Sequence, residues 1–237
     1  MLMWGLYIDP LYIVLFIVTL VISGAAQLFI RSQFGKYGAI RNSSGLAGVQ
    51  VGERIVGGSD FGGSRGAATG ISFKIVPGNL SDHFDPRTKE IGLSQEVASR
   101  DSVAAMAVTA HEVGHAQQDA EGTVAMRARA FLVPAVTFSP MASYFLIFLG
   151  LIFNLSGLFW LGIVVFGLMV VFSILTLPVE IGASRRALVM LRENGLMQTA
   201  EDEEGVKRVL IAAAMTYVAA AVTSILMLLY YISLARR

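Results

Sequence analysis

"VTAHEVGHAQQD", Val108 to Asp119, sets two histidines four residues apart, with a glutamate directly after the first, in a chain whose composition is otherwise largely that of a membrane protein. On a helix, His111 and His115 stand one turn apart, so both imidazoles can meet one zinc ion from the same face. Glu112 then projects beside the metal, where a carboxylate can take a proton from water and later pass it to a leaving amine. Val113 and Gly114 keep the helix continuous and allow close packing. The spacing predicts a helix from Asp101 to about Arg129, capped by Asp101 or Ser102, with the small residues "AAMAVTA" leading into the motif. An HExxH pattern also arises by chance. On that bland reading the histidines lie on a helix surface and Glu112 is solvated.

There is no cysteine, so a zinc site must be built from His, Glu or Asp, and the chain has three histidines: His83, His111 and His115. A catalytic site needs a third protein ligand and an open position for water. Asp119 follows His115 by one more turn, but a third ligand on the same straight helix points progressively away from the ion. Glu180 is the better candidate. It is the sole acidic residue between Gly122 and Arg192, and it follows the end of a membrane-like run. A carboxylate at such a boundary is costly unless solvated, paired or metal-bound. Its bland reading is a pair with Arg185 or Arg186. His83 is the third possibility, as a ligand or as a donor to the oxyanion of a tetrahedral intermediate; its bland reading is a surface turn histidine.

Outward from the motif, 55% of the 237 residues are hydrophobic and 15% charged, a balance that points to an integral membrane protein. Leu11 to Ile30, Phe131 to Phe153, Gly157 to Leu177 and Leu210 to Leu234 are apolar runs near the ~20 residues a helix needs to cross a bilayer. The second and third, separated by "NLS", read as a helical hairpin, and the alanines of the fourth suggest close helix packing in lipid. The opening "MLMWGLYIDP" has no Lys or Arg, so the first run is expected to stay as an anchor, with Trp4, Tyr7 and Tyr12 at its interfacial end. The expected organisation is an anchor at 1–30, an aqueous domain with the HExxH helix at 31–130, a transmembrane hairpin at 131–177, a polar helix carrying Glu180 at 178–209, and a last span at 210–237. The expected fold class is a mainly α membrane protein of about four transmembrane helices with a small α+β domain.

Within the aqueous part, Ser43 to Val56 reads as a helix capped by Ser43 or Ser44. Gly57 to Gly70 holds six glycines but neither the GxxxxGK[ST] order nor a preceding strand, so it reads as a mobile loop rather than a phosphate cradle. Ile71 to Val76 and Thr88 to Ser94 are β-prone runs joined by the turn-rich "PGNLSDHFDPR", and are expected to form a small sheet or hairpin. The Thr88 to Ser94 strand is expected to offer its edge to an extended substrate by β-augmentation, with His83 or Arg87 holding the oxyanion.

The net charge of +1 supports no whole-chain attraction to nucleic acid, and none is expected as a partner. Arg31, Lys36 and Arg41, Arg127 and Arg129, Arg185, Arg186 and Arg192, and Lys207 and Arg208 all fall on one side of a four-span topology, which the positive-inside rule makes cytoplasmic; Arg236 and Arg237 fall on the other.

Taken in order, "DP" before the first span, "SSGLAG", "DHFDPRTKEIGLS", "AAMAVTAHEVGHAQQD", "LPVEIGASRRAL" and "AAAMTYVAAAVTSIL" resemble the neutral zinc metallopeptidase, or YugP-like, family of bacterial membrane proteins over nearly the whole chain. The resemblance implies a gluzincin-type peptidase that uses Zn2+, with His111, His115 and Glu180 as ligands and Glu112 as general base and acid. It also implies a multi-pass protein of the bacterial plasma membrane that acts on protein or peptide substrates, membrane proteins among them. Relatives often carry a polar residue where this chain has Gly182, which bears on a partner of a ligand rather than on the ligand itself. The competing classes are an intramembrane protease, a transporter, and a zinc-holding membrane scaffold or quality-control adaptor. The first lacks an Asp-bearing motif in the later spans, the second lacks intramembrane charge, and the third has no use for Glu112.

Overall fold

Four helices of the computed structural model are long and apolar enough to cross a membrane: α1 (Pro10–Gly38), α5 (Val124–Ile152), α6 (Ser156–Glu193) and α7 (Ala200–Ala235). The structure describes residues 9–61, 63, 64 and 66–236, so Trp4, Tyr7 and Arg237 lie outside the described residues. Asp9 starts α1 by accepting the Leu11 N–H, with Pro10 in the first turn. Large apolar side chains such as Leu20, Phe131, Phe138 and Met141 stand exposed along the spans, as a lipid-facing surface requires. The chain is a mainly α membrane protein with a small three-stranded sheet.

α5 and α6 form the expected hairpin. Asn154 makes its turn with φ 53°, a left-handed conformation that Asn tolerates better than most residues. The helices then close tightly because a Cβ at Gly150 would lie 2.6 Å from the Phe159 nitrogen, and one at Gly162 would lie 2.8 Å from that of Ile147.

α6 does not stop at Leu177. It runs unbroken through Pro178 for 38 residues, roughly 57 Å at 1.5 Å per residue and about twice the hydrocarbon thickness of a bilayer. Packing of α6 on α5, α7 and the motif helix α4 (Val103–Ala120) along this length outweighs the one backbone bond that Pro178 forfeits. Glu180 is therefore carried on the same helix as the third apolar run, three residues past Leu177.

The helix read across Asp101 to Arg129 divides in two. α4 (Val103–Ala120) is capped by Ser102, whose hydroxyl accepts the Ala105 N–H, and it ends where Gly122 takes φ 61° and the Thr123 N–H reaches the Gln118 carbonyl. α2 (Gly48–Gly58) begins at Ala47 rather than at Ser43 or Ser44. The Gln50 side chain accepts the Ala47 N–H, while Ser43 donates instead to Asp202 at the start of α7 and Ser44 to Asn42. After α2, Phe61 is buried and pairs with Ser64, and a single 3-10 turn covers Gly66–Thr69.

The sheet has the order β1-β3-β2, formed by β1 (Ser72–Val76), β2 (His83–Asp85) and β3 (Glu90–Ser94). The two expected strands are neighbours but parallel, Ser72 opposite Glu90, so they cannot make a hairpin. The turn-rich connection supplies the third strand, antiparallel to β3 with His83 opposite Gly92. β3 is thus central and both its edges are filled, which corrects the expectation that this strand offers an edge to substrate. The free edges belong to β1 and β2. A short α3 (Gln95–Ser99) leads from β3 towards α4.

One core joins these parts. Val51 and Ile55 of α2, Ile91 and Leu93 of β3, and Met106 and Val113 of α4 pack with Ala187 and Leu191 of α6 and Val206 and Leu210 of α7. The small domain is completed by the ends of two membrane helices that project beyond the lipid.

Candidate metal centre

α4 is built from small residues and buried on almost every side, which lets it lie against α2, α6 and α7 at once. Gly114 sets the closest approach. A Cβ there would stand 2.5 Å from the Ala183 carbonyl oxygen and 3.2 Å from its Cα, so the two backbones touch. That contact, beside His115, one turn from His111 and one turn from Glu180, brings the three side chains together.

His111 Nε2 lies 3.2 Å and His115 Nε2 3.5 Å from the same carboxylate oxygen, Glu180 Oε2. All three donor atoms fall within 4.8 Å of one another. Donors 2.0–2.1 Å from a tetrahedral zinc ion are about 3.3 Å apart, so the spacing fits that ion. The Nδ1 atoms are turned away and engaged: His111 with Ser184 Oγ at 3.2 Å and His115 with Gln118 Oε1 at 3.1 Å. With protons on both Nδ1 atoms, each Nε2 presents a lone pair to the shared centre. Gln118 is itself held, its amide donating to the Val179 carbonyl at 2.9 Å.

The electrostatics favour a cation. Burial lowers the His115 pKa, but the Glu180 and Glu112 carboxylates beside it more than offset that, and its net shift is upward. The site draws positive charge to itself, as a proton or as a metal ion. Glu112 is 7% exposed. Burial, joined by the charges of Glu180 and Asp82, raises its pKa against the opposing pull of the two imidazoles, the environment of a base rather than of a solvated acid. The Tyr217 hydroxyl of α7 is hydrogen-bonded to Glu180.

Of the residues singled out by sequence, His111, Glu112, His115 and Glu180 converge. Asp119 pairs instead with Lys89. His83 is exposed on β2 with Nδ1 2.9 Å from the Ser81 carbonyl, and Arg87 is exposed beside Asp85. Arg186 reaches Glu121 rather than Glu180, whose cationic neighbour is Arg129, with Nη1 3.5 Å from Oε1. Gln118, Ser184, Arg129 and Tyr217 went unnoticed as site residues. Helical spacing could have flagged two of them, since Gln118 follows His115 by three residues and Ser184 follows Glu180 by four. Gly182 has a role here too, because a Cβ at that position would sit 2.6 Å from the Gln118 amide. The polar partner of the ligand comes from α4, and glycine leaves it room. Gln118→Ala is expected to weaken zinc binding about 10–100-fold, measured by competition with a chromogenic chelator; unchanged affinity would remove Gln118 from the support of His115.

The profile of a family described as "Putative neutral zinc metallopeptidase" matches residues 12–236. The chain is 37% identical over 222 residues to the "Putative membrane protease YugP" of Bacillus subtilis (strain 168), covering 94% of this chain and 95% of that protein. No solved structure matches the chain at a significant level.

Proposed function

The chain belongs to the neutral zinc metallopeptidase family, and from that premise we propose that it is a zinc-dependent endopeptidase of the bacterial plasma membrane. It spans the bilayer several times and hydrolyses peptide bonds in protein or peptide substrates, membrane proteins among them, near the cytoplasmic surface. The observation that carries this reading is the meeting of two imidazoles and one carboxylate, whose Oε2 lies 3.2 and 3.5 Å from the two Nε2 atoms, beside a buried glutamate. The cytoplasmic side rests on the basic residues at the ends of α1, α5, α6 and α7 that adjoin the small domain.

His111, His115 and Glu180 would hold the zinc ion, which when bound supplies Lewis acidity towards a scissile carbonyl. Glu112 accepts a proton from the attacking water and delivers it to the departing amine. Its burial keeps the carboxylate basic, the Gln118 amide oxygen, which can only accept, keeps His115 in the tautomer that can bind metal, and the Ser184 hydroxyl partners the Nδ1 of His111.

Elemental analysis of detergent-purified protein tests the first half of the proposal. Wild type is expected to carry about one zinc per chain and Glu180→Ala to lose most of it, because catalytic zinc sites rest on three protein ligands. Cleavage of an unstructured protein such as casein, abolished by a zinc chelator, tests the second half. Metal-free wild type would sink the zinc site; zinc-loaded wild type that cleaves neither casein nor a random peptide pool would favour a scaffold over a peptidase.

A further inference from the structure

The two oxygens of Glu180 have different partners. Oε2 faces both histidines, at 3.2 and 3.5 Å, while Oε1 faces Arg129 Nη1 at 3.5 Å. The Glu180 side chain is 2% exposed, and the protein groups beside it are Arg129 at Oε1 and the Tyr217 hydroxyl, which is also hydrogen-bonded to the carboxylate. Arg129 comes from the first turns of α5, and its side chain, 28% exposed, reaches the site from the hairpin partner of α6.

We propose that Arg129 is a positioning residue that holds Glu180 to a one-oxygen mode of metal binding and so reserves a coordination position for water. This rests on the reading of the site as a zinc centre. A carboxylate free at both oxygens can swing to chelate an ion through the pair. With Oε1 at ion-pair distance from a guanidinium, that swing gives up an electrostatic contact at a carboxylate that is 2% exposed, where screening by solvent is weak. The open position that separates a catalytic from a closed structural zinc site is thereby protected by a residue that is not itself a ligand. Arg129 also links the membrane hairpin to the reaction centre, since α5 contributes no other residue to the cluster of ligands and base described above.

The test is the visible absorption of the cobalt(II)-substituted full-length protein in detergent, which is intense for four-coordinate cobalt and several-fold weaker for five-coordinate cobalt. Wild type is expected to show the intense spectrum. Arg129→Met should bind cobalt with a spectrum several-fold weaker, and Arg129→Lys should restore most of the intensity. Zinc affinity should change by about 10–100-fold in Arg129→Met, the range for residues supporting a ligand. If that variant does not stay monodisperse, Arg129→Ala with guanidinium added to the buffer takes its place, and recovery of the intense spectrum is expected as guanidinium is titrated in. A wild-type spectrum in Arg129→Met, or no response to guanidinium in Arg129→Ala, overturns the proposal. Wild type that takes up no cobalt and no zinc overturns the zinc centre itself and the proposal with it, a result distinct from the other two.

Discussion

Glu112→Gln is expected to keep about one zinc per chain and to lower the rate of peptide cleavage by about 10²–10⁴-fold, the usual contribution of a positioned general acid–base group. The substitution is close to isosteric, so the packing of a residue that is only 7% exposed survives it. Glutamine cannot accept the proton of an attacking water, so the chemical step loses its base while His111, His115 and Glu180 are undisturbed. The readouts are turnover of a fluorogenic peptide and zinc by elemental analysis on the same preparation. Cleavage at the wild-type rate would remove Glu112 from the mechanism. Loss of zinc together with activity would mean that Glu112 supports the site rather than acting in it.

Gly114→Val should disable the protein by another route, through the backbone. A Cβ at this position meets the Ala183 carbonyl oxygen at 2.5 Å and its carbon at 3.1 Å, main-chain atoms that cannot rotate away. α6 must therefore shift, and Glu180 lies three residues before Ala183 on the same helix. Overpacking of this kind costs about 1–3 kcal/mol, and a displacement near 1 Å at a catalytic group is worth about 10²-fold in rate. The expected result is a folded, detergent-stable protein with a lowered melting temperature, little bound zinc and cleavage reduced by that factor or more. Gly182→Ala is the control. Its new Cβ meets only the end of the Gln118 side chain at 2.6 Å, which can move, so most of the zinc should remain. Equal behaviour of the two variants would show that the Gly114–Ala183 contact does not set the position of the third ligand.

Much of this molecule can be read from residue order because the relevant signals are local. Apolar runs long enough to cross a bilayer, a histidine pair at helical spacing, a cap at Ser102 and a lone acid after the third run each announce themselves within a few residues. Strand pairing was harder. Ile71 to Val76 and Thr88 to Ser94 were recognisable as strands, but their parallel arrangement and the insertion of β2 depend on contacts between distant residues and on where the small core closes. The end of α6 was misplaced for a similar reason. Proline and a change to polar residues ordinarily mark a helix boundary, yet at Pro178 packing on three other helices overrides that preference.

By itself, the sequence determined the membrane character and the motif helix with its two histidines, because these follow from composition or from spacing along one element, while for the third partner of a metal ion it offered Glu180 ahead of Asp119 and His83. Tertiary structure alone decided that Gln118 and Ser184 orient the histidines, that Arg129 rather than Arg185 or Arg186 answers Glu180, and that Asp119 belongs to Lys89. The contact of Ser184 with His111 hangs on how closely α4 and α6 approach. That distance is set at Gly114 and Ala183, 69 residues apart in the chain, where the absence of one Cβ lets backbone meet backbone.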